Sequence, residues 1–287
     1  MENVYFTKNI TSENLVKIYE LLNKDLKGNV GVKVSTGEAG NPNHLNPDLI
    51  KELVTKLNGT IIECNTAYPG KRNTTEEHKR VAQEHGFTKI AKVDIMDEFG
   101  EIELPVRNGK HLKTNYVGAS LENYDSLLIL SHFKGHPMGG FGGSLKNIAI
   151  GIASSHGKTH IHSGGKKRIS MWITPQNDFL ESMAEAVSSV KDKYKDNMVY
   201  INVINNLTVD CDCVAHPEPI CMGDIGIAAS LDPVALDKAC VDMIYNSKDP
   251  GAKHLIERIE RQNGTHILDY AEEIGIGSKK YKLVNVD

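Results

Sequence analysis

Short runs of aliphatic and β-branched residues alternate along the chain with longer segments whose apolar residues recur at helical spacing. The short runs predict buried strands, and the longer segments predict helices between them. Because strands joined by helices form parallel pairs covered on both sides, the pattern predicts an α/β fold with a mainly parallel or mixed sheet and helices on both faces. The predicted strands are residues 4–6, 31–34, 60–63, 89–94, 126–131, 198–205, 224–228 and 282–286.

Capping residues mark where several helices begin. Asn46 followed by Pro47 predicts a helix start, because an N-cap side chain and a proline at the first helical position both suit that end. Ser12 is the expected N-cap of the first helix, and Ser230 or Asp232 can cap the helix that opens at Pro233. For Asp232 we favour capping over a functional role. The predicted helices are residues 12–26, 47–57, 75–85, 144–153, 179–194, 233–245 and 266–274.

Length and charge narrow the class of protein. The chain of 287 residues suits a single unit over 1–287, with two α/β lobes divided near residues 160–176 as a variant of it. A net charge of -4 without a basic stripe argues against a nucleic-acid partner. Because no apolar run is long enough for a signal peptide or a membrane span, we expect a cytoplasmic protein without a membrane partner. A homodimer is the default assembly.

The densest chemistry lies in residues 131–147, SHFKGHPMGGFGGSLKN, directly after a predicted strand. Glycines let backbone N–H groups approach a ligand, and the following helix presents its positive N-terminal end, so the segment predicts binding of a small anionic molecule. Histidines four residues apart suit proton transfer or metal ligation, and the lysines add positive charge. The candidate catalytic residues are His132, Lys134, His136 and Lys146, and the candidate ligand-binding residues are Gly139, Gly140, Gly142, Gly143 and Asn147.

The alternative for residues 131–147 is a glycine-rich structural crossing that leaves its histidines and lysines at the surface. We favour the functional interpretation, because so much glycine costs backbone entropy and two histidines and two lysines would otherwise gather there by chance. The segment is neither a Walker loop nor a Gly-x-Gly-x-x-Gly turn, so no nucleotide is specifically indicated.

A second cluster, residues 210–221, combines three cysteines with two aspartates and a histidine on a turn-rich stretch. Cys211 and Cys213 place two thiols on one side of an extended chain, and a turn can bring back Cys221. Three thiolates suit a metal ion such as zinc or an iron–sulfur cluster. The alternative is a turn in which the aspartates bond to the backbone and the cysteines pack. The odd total of five cysteines does not indicate a disulfide framework.

Two further loops follow predicted strands and are candidate walls of one crevice, because ligands in such folds collect beyond the carboxyl ends of strands. Glu38 and Asn41 lie on the first loop, and Asn65 and Thr66 lie on the second. A simple turn followed by a helix cap explains the first loop equally well. Asp224, close to the third cysteine of the cluster, is a further candidate ligand-binding residue. Another candidate group is His156, His160 and His162, on a segment expected to be extended.

Taken together, these segments resemble the domain of unknown function 362 (DUF362) proteins, often labelled iron–sulfur-centre proteins of unknown function. The matching pieces follow one another in order along nearly the whole chain, and residues 131–147 are the specific part. They are residues 37–41, 65–68, 84–87, 131–136, 140–147, 211–213, 224–237 and 273–278.

The resemblance implies a limited set of functions, because the activity of the family is not established. Many members carry a ferredoxin-like insert with two cysteine-rich cluster motifs after the segment equivalent to residues 156–162. This chain has no cysteine there, so a cluster implied by the family could be held only at Cys211, Cys213 and Cys221. Cys221 does not match a position typical of the family.

Three functions stay open from the sequence. The first is a metal- or iron–sulfur-dependent enzyme, redox in character and served by a redox partner protein, acting on a small anionic molecule. The second is a metal-free transferase or isomerase that uses the same loop, and the third is a non-catalytic protein that binds a metal or cofactor. All three require that Glu38, Lys134, His136 and the paired thiols open onto a common hollow.

Overall fold

The structure is a computed structural model and describes residues 1–166 and 171–287. Its strands begin and end close to most of the predicted positions. In chain order they are β1 (Glu2–Thr7), β2 (Val30–Lys33), β3 (Thr60–Glu63), β4 (Val93–Ile95), β5 (Glu101–Pro105), β6 (Thr114–Gly118), β7 (Ser126–His132), β8 (Lys134–His136), β9 (Gly140–Gly142), β10 (Met198–Ile204), β11 (Gly226–Ser230) and β12 (Tyr281–Asn285).

Helices alternate with these strands over most of the chain. They are α1 (Ser12–Leu21), α2 (Pro47–Lys56), α3 (Thr75–Glu84), α4 (Ser144–Ile152), α5 (Ser155–His162), α6 (Gln176–Tyr194), α7 (Pro233–Tyr245), α8 (Ala252–Arg261) and α9 (His266–Glu273). In the part of the chain that the structure describes, no helix is both long and apolar enough to cross a membrane.

The central sheet has eight strands in the order β12-β1-β11-β10-β7-β2-β3-β4. Only β11 runs against its neighbours, so the predicted α/β fold with a mixed, mainly parallel sheet is confirmed. The chain builds outward from β2 through β3 to β4 and then returns to place β7 on the other side of β2. Such a reversal opens a crevice at the carboxyl ends of the strands.

The period-two alternation of strand residues explains why both faces of the sheet are covered. Leu127 and Ile129 of β7 join one buried cluster, with residues of α4, α6, α7 and α9. Leu128 and Leu130 of the same strand join a second cluster, with residues of α1 and α2. Each face of the strand therefore packs under its own layer of helices, as neighbouring side chains of a strand point to opposite faces.

Several local predictions need correction. Helix α1 ends at Leu21, not at residue 26, and its N-cap is Thr11, whose side chain accepts the N–H of Asn14. The strand predicted at residues 89–94 is shorter, because a 3-10 turn occupies Phe87–Lys89. Residues 156–162 are helical in α5 and not extended. The glycine-rich segment forms a small antiparallel hairpin of β8 and β9.

Two features bear on the domain organisation. The central sheet takes strands from both sides of residues 160–176, with β7 before them and β10 after them. Part of that stretch, residues 167–170, lies outside the described residues. A division into two lobes at this position stays a prediction.

Candidate active site

A cavity of about 330 Å³ lies at the carboxyl edge of the sheet, where β2, β3 and β7 end beside α4. It is the crevice expected from the reversal of strand order. Residues from the predicted glycine-rich segment, the second predicted loop and the cysteine cluster meet in it. The predicted residues that line it are Thr66, His132, Lys134, His136, Gly142, Gly143, Lys146, Asn147 and Cys213.

Positive charge dominates the cavity wall. Within residues 1–166 and 171–287, five cationic side chains line it, against one carboxylate, that of Glu63. Four of the five have a partner. Lys33 and Arg72 lie 3.8 and 3.5 Å from Glu63, Lys134 lies 2.8 Å from Asp212, and Lys158 donates to the carbonyl of Ala153 at 2.6 Å.

Lys146 is the cavity cation that has no hydrogen bond or ion pair within residues 1–166 and 171–287. Helix α4 packs the apolar stripe that includes Leu145 and Ile148 against the core, which turns Lys146 and Ile150 toward the cavity. Burial, reinforced by the charge of Lys134, lowers the pKa of Lys146 to about 7. An unpaired cation in a cavity can bind an anion.

Asp212 organises the wall beside Lys146. Its carboxylate contacts His132 Nδ1 at 2.9 Å and Lys134 Nζ at 2.8 Å. Burial alone would raise the pKa of Asp212, but the charges of Lys134 and His132 lower it well below its ordinary value. His132 Nε2 lies 2.7 Å from the carbonyl oxygen of Asn205, so both ring nitrogens already face oxygen atoms of the protein. His132 therefore holds Asp212 in place and has no free nitrogen for a ligand.

Hydrogen bonds from the loop after β2 brace the Cys-Asp-Cys turn. Asn41 donates its amide to the carbonyls of Cys211 and Val214, at 3.4 and 2.7 Å, and Glu38 donates its backbone N–H to the carbonyl of Asp212 at 2.7 Å. Glu38 and Asn41 thus act on the turn and do not line the cavity. Cys211 and Cys213 form a disulfide, which the cysteine count did not indicate.

His136, Cys211 and Cys213 form a possible metal-binding group, because one potential ligand atom of each lies within 4.8 Å of the others. Cys221 is not part of it, and its thiol donates to the carbonyl of Leu207 at 3.3 Å.

The hydrogen bonds of His136 test whether this group fits a metal. Its Nδ1 accepts the backbone N–H groups of Met138 and Gly139, at 3.2 and 2.8 Å. Burial and the charge of Lys146 lower the pKa of His136 well below its ordinary value, so the neutral ring keeps its proton on Nε2. A metal-bound imidazole does the reverse and donates from its second nitrogen to an acceptor. With the two sulfurs also bonded to each other, the residues as arranged do not fit a metal.

The glycines serve close packing more than ligand contact. A Cβ at Gly135 would lie 2.6 Å from the backbone of Val209, and Gly140 has a φ of +80° beside the backbone of Gly264. Gly139 and Gly140 are not among the cavity-lining residues, whereas Gly142 and Gly143 are. Part of the glycine-rich segment therefore serves backbone packing, as the structural alternative proposed, and another part lines the cavity.

The N-terminus of α4 is not a free anion site. The carboxylate of Asp237 accepts the backbone N–H groups of Ser144 and Leu145, at 2.8 and 2.9 Å. It also accepts the side-chain amide of Asn202 at 2.8 Å. The expectation that these N–H groups bind a ligand is therefore wrong, because an internal carboxylate satisfies them.

Two other predicted ligand-binding residues lie away from the cavity. Asn65 donates its side-chain amide to the hydroxyl of Thr75 at 2.9 Å, which fixes the start of α3. Asp224 is exposed and accepts the backbone N–H of Asn206 at 2.8 Å. Both side chains hold loops together.

Several cavity residues were missed from the sequence or assigned no role. Lys33 and Glu63 are the last residues of two buried strands, and both side chains are almost fully buried. Burial alone would raise the pKa of Glu63, but Lys33 and its other partners lower it well below its ordinary value. Charged residues that end buried parallel strands are a signal that could have found this pair. Other cavity residues outside the predicted site set include Arg72, Lys158 and Trp172.

The family model described as "Domain of unknown function (DUF362)" matches residues 30–242, from β2 into α7. The chain belongs to the DUF362 family. The resemblance expected from the sequence motifs is therefore confirmed, and the matched range contains every element that lines the cavity. No curated protein matches this DUF362 chain.

Two solved structures resemble the DUF362 fold described above. The lactate racemase apoprotein from Thermoanaerobacterium thermosaccharolyticum is 16% identical, with a TM-score of 0.51, and the match covers 85% of this chain and 58% of that one. A Thermotoga maritima protein is also 16% identical, with a TM-score of 0.48 and coverage of 80% and 57%. The DUF362 chain therefore spans less than two thirds of either protein. At this identity the first likeness supports the fold alone.

Proposed function

We propose that this DUF362 protein is an enzyme that acts on a small carboxylate-bearing molecule held in the cavity by Lys146. The observation that carries the proposal is a cavity-lining cation with no hydrogen bond or ion pair among the described residues. A lysine in this position is unfavourable for folding, because burial opposes its charge. Residues that cost stability in a cavity are typical of functional sites.

Two neutral imidazoles line the cavity with this anchor. A bound anion offsets the charge of Lys146 and so raises the pKa of both rings toward the range of general acid–base chemistry. His136 carries its proton on Nε2, the nitrogen left free by the two backbone donors. His162 lines the cavity from α5 and stacks on Phe179, with 4.5 Å between ring centroids, and its buried Nδ1 has no hydrogen-bond partner in the part of the chain that the structure describes. Burial and the charge of Lys146 lower the pKa of His162 to about 3. A proton donor and a proton acceptor beside a bound carboxylate suit an isomerase or a group-transfer enzyme.

The experiment is a calorimetric titration with acetate, lactate, succinate and phosphate. Lactate is included because the lactate racemase with a similar fold acts on a carboxylate of this size. We expect at least one carboxylate to bind the wild-type protein and Lys51→Met, an exposed control on α2, with equal affinity. Lys146→Met should lose at least tenfold. Failure of every anion to bind, or equal binding by Lys146→Met, would reject the proposal.

A metal- or iron–sulfur-dependent redox enzyme is a second candidate, favoured by the closeness of His136, Cys211 and Cys213. It requires reduced thiols and new hydrogen bonds at His136. Metal analysis of protein purified anaerobically in the presence of a reductant tests it. One tightly bound metal per chain, lost in Cys213→Ser, would support this candidate, and metal-free protein under those conditions would reject it.

A further inference from the structure

The two sulfurs of the Cys-Asp-Cys turn differ in their access to the cavity. Cys213 lines the cavity, whereas Cys211 is 2% exposed and lies behind it. An incoming thiolate must approach a disulfide sulfur directly, so a molecule in the cavity can attack only Cys213. This asymmetry is the arrangement that a directional exchange reaction needs.

The buried sulfur has a donor that suits a leaving group. The backbone N–H of Cys213 points at the sulfur of Cys211, at 3.3 Å. When the disulfide opens, Cys211 leaves as a thiolate, and a hydrogen bond to an ionised acceptor is stronger than one to a neutral acceptor. The backbone of the turn keeps its position when the disulfide is reduced, because Asn41 and Glu38 donate hydrogen bonds to its carbonyl groups. Cys211 therefore stays positioned to attack again.

The charge of the cavity selects among incoming thiols. Lys134 lies on the same wall but is paired with Asp212, whereas Lys146 has no hydrogen bond or ion pair among the described residues and is therefore available to attract a negative group. Nearby positive charge also favours the thiolate form of a thiol, which is the nucleophile. A thiol that carries a carboxylate satisfies both features of the site at once.

We infer that Cys211 and Cys213 form a thiol–disulfide exchange centre whose substrates are small carboxylate-bearing thiols and their disulfides. The inference rests on the proposed function for its anion anchor, and it adds a redox reaction that the anchor alone does not supply. It concerns the paired sulfurs themselves and needs no metal.

The reaction balances without a further oxidant. A thiolate RS⁻ attacks Sγ of Cys213, the bond between Cys213 and Cys211 breaks, and Cys211 leaves as a thiolate. A second RS⁻ attacks the substrate sulfur of the mixed disulfide, forming RSSR and releasing the Cys213 thiolate. Two RSH are oxidised by two electrons, the protein disulfide is reduced to a dithiol, and the two protons of the thiols pass to the two cysteines. A small disulfide of the same class reverses the sequence.

The test compares thiols of similar size and different charge on the full chain. The oxidised protein is incubated with 3-mercaptopropionate, 2-mercaptoethanol or cysteamine, and reduction is followed by alkylation and mass spectrometry. Rates are divided by the thiolate fraction of each reagent. We expect the carboxylate thiol to react at least tenfold faster than the neutral thiol in wild type and in Lys51→Met, and the preference to vanish in Lys146→Met.

A trapping variant identifies the attacked sulfur. In a Cys221→Ser background, the variants are treated with 3,3'-dithiodipropionate, the disulfide of 3-mercaptopropionate. The Cys213 thiolate of Cys211→Ser should attack it, release one 3-mercaptopropionate and retain the other half as a mixed disulfide, whereas Cys213→Ser should not retain one at Cys211. Equal rates for the three thiols, or trapping at Cys211, would overturn the inference. If either result is obtained while acetate or lactate still binds at Lys146, the exchange centre is rejected and the proposed function stands. If no carboxylate binds either, the proposed function fails with it.

Discussion

Replacing Lys146 with methionine is expected to stabilise the fold while it removes anion binding. Folding lowers the pKa of this lysine from 10.5 to about 7. At about 1.4 kcal/mol per pKa unit, the penalty for holding the charge in the folded protein is at most about 5 kcal/mol. Because the side chain is only partly buried and opens onto the cavity, screening reduces the expected penalty to about 2 kcal/mol. Methionine keeps the length of the chain and has no charge to bury.

The stability gained by Lys146→Met should depend on pH, because folding lowers the pKa of Lys146. A lysine whose pKa falls on folding opposes folding fully below the folded pKa, and the penalty disappears as the pH rises past the unfolded value. Urea unfolding at pH 6.5 and pH 9.5 measures both ends of this range. We expect Lys146→Met to exceed wild type by about 2 kcal/mol at pH 6.5 and by clearly less at pH 9.5.

A variant that is more stable than wild type but no longer binds carboxylates distinguishes an anion anchor from a structural residue. Lys51→Met, on the exposed surface of α2, should change neither the free energy of unfolding nor the binding of carboxylates. A Lys146→Met protein that is less stable than wild type at pH 6.5 would refute the reasoning, because Lys146 would then have a stabilising partner. Unchanged stability at both pH values would show that the cavity already solvates its charge.

Three further predictions concern the framework of the site. Burial raises the pKa of Asp237 from 3.8 to about 6, so its contribution to stability is complete below about pH 3.8 and is lost as the pH rises through about 6. Urea unfolding should show wild type losing about 3 kcal/mol of unfolding free energy relative to Asp237→Asn between about pH 3 and pH 7, and a constant difference would contradict this. Gly135→Ala places a Cβ 2.6 Å from the backbone of Val209 and should lower the free energy of unfolding by about 2 kcal/mol or more. A thermal unfolding midpoint equal to that of wild type would contradict this. Asn41→Ala removes two hydrogen bonds to the Cys-Asp-Cys turn and should lower the free energy of unfolding, measured by chemical denaturation, by about 2 kcal/mol. A variant as stable as wild type would show that these hydrogen bonds do not stabilise the turn.

The fold was largely predictable because its strands are short, apolar and separated by helices with clear caps. Asn46 and Asp232 cap α2 and α7 as expected, since their side chains accept backbone N–H groups of the first turn. Strands β2, β3 and β7 were placed within a residue or two for the same reason. The hairpin of β8 and β9 was not predicted, because its pairing depends on glycines packed against distant backbone.

The position of the cavity could be predicted from the sequence, although Glu38 does not line it as expected, and the partners of the individual side chains could not be predicted. Lys134, His136, Lys146 and Cys213 meet in one cavity, as expected for residues that follow parallel strands. The role of each side chain depends on partners far away in sequence. Asp237 takes the helix N-terminus that the glycine loop was expected to offer to a ligand, and it lies 93 residues from Ser144. Hydrogen bonds of this kind leave no periodic signal in a sequence.

The central claim is that Lys146 holds an anion inside the cavity, and anomalous diffraction from bromide-soaked crystals at pH 6.5 measures this directly. The account predicts a bromide peak within about 3.5 Å of Lys146 Nζ in wild-type crystals and no peak there in Lys146→Met crystals. Wild-type crystals in which bromide fills surface sites but not the cavity would contradict the account. Equal occupancy of the cavity in the two proteins would contradict it as well.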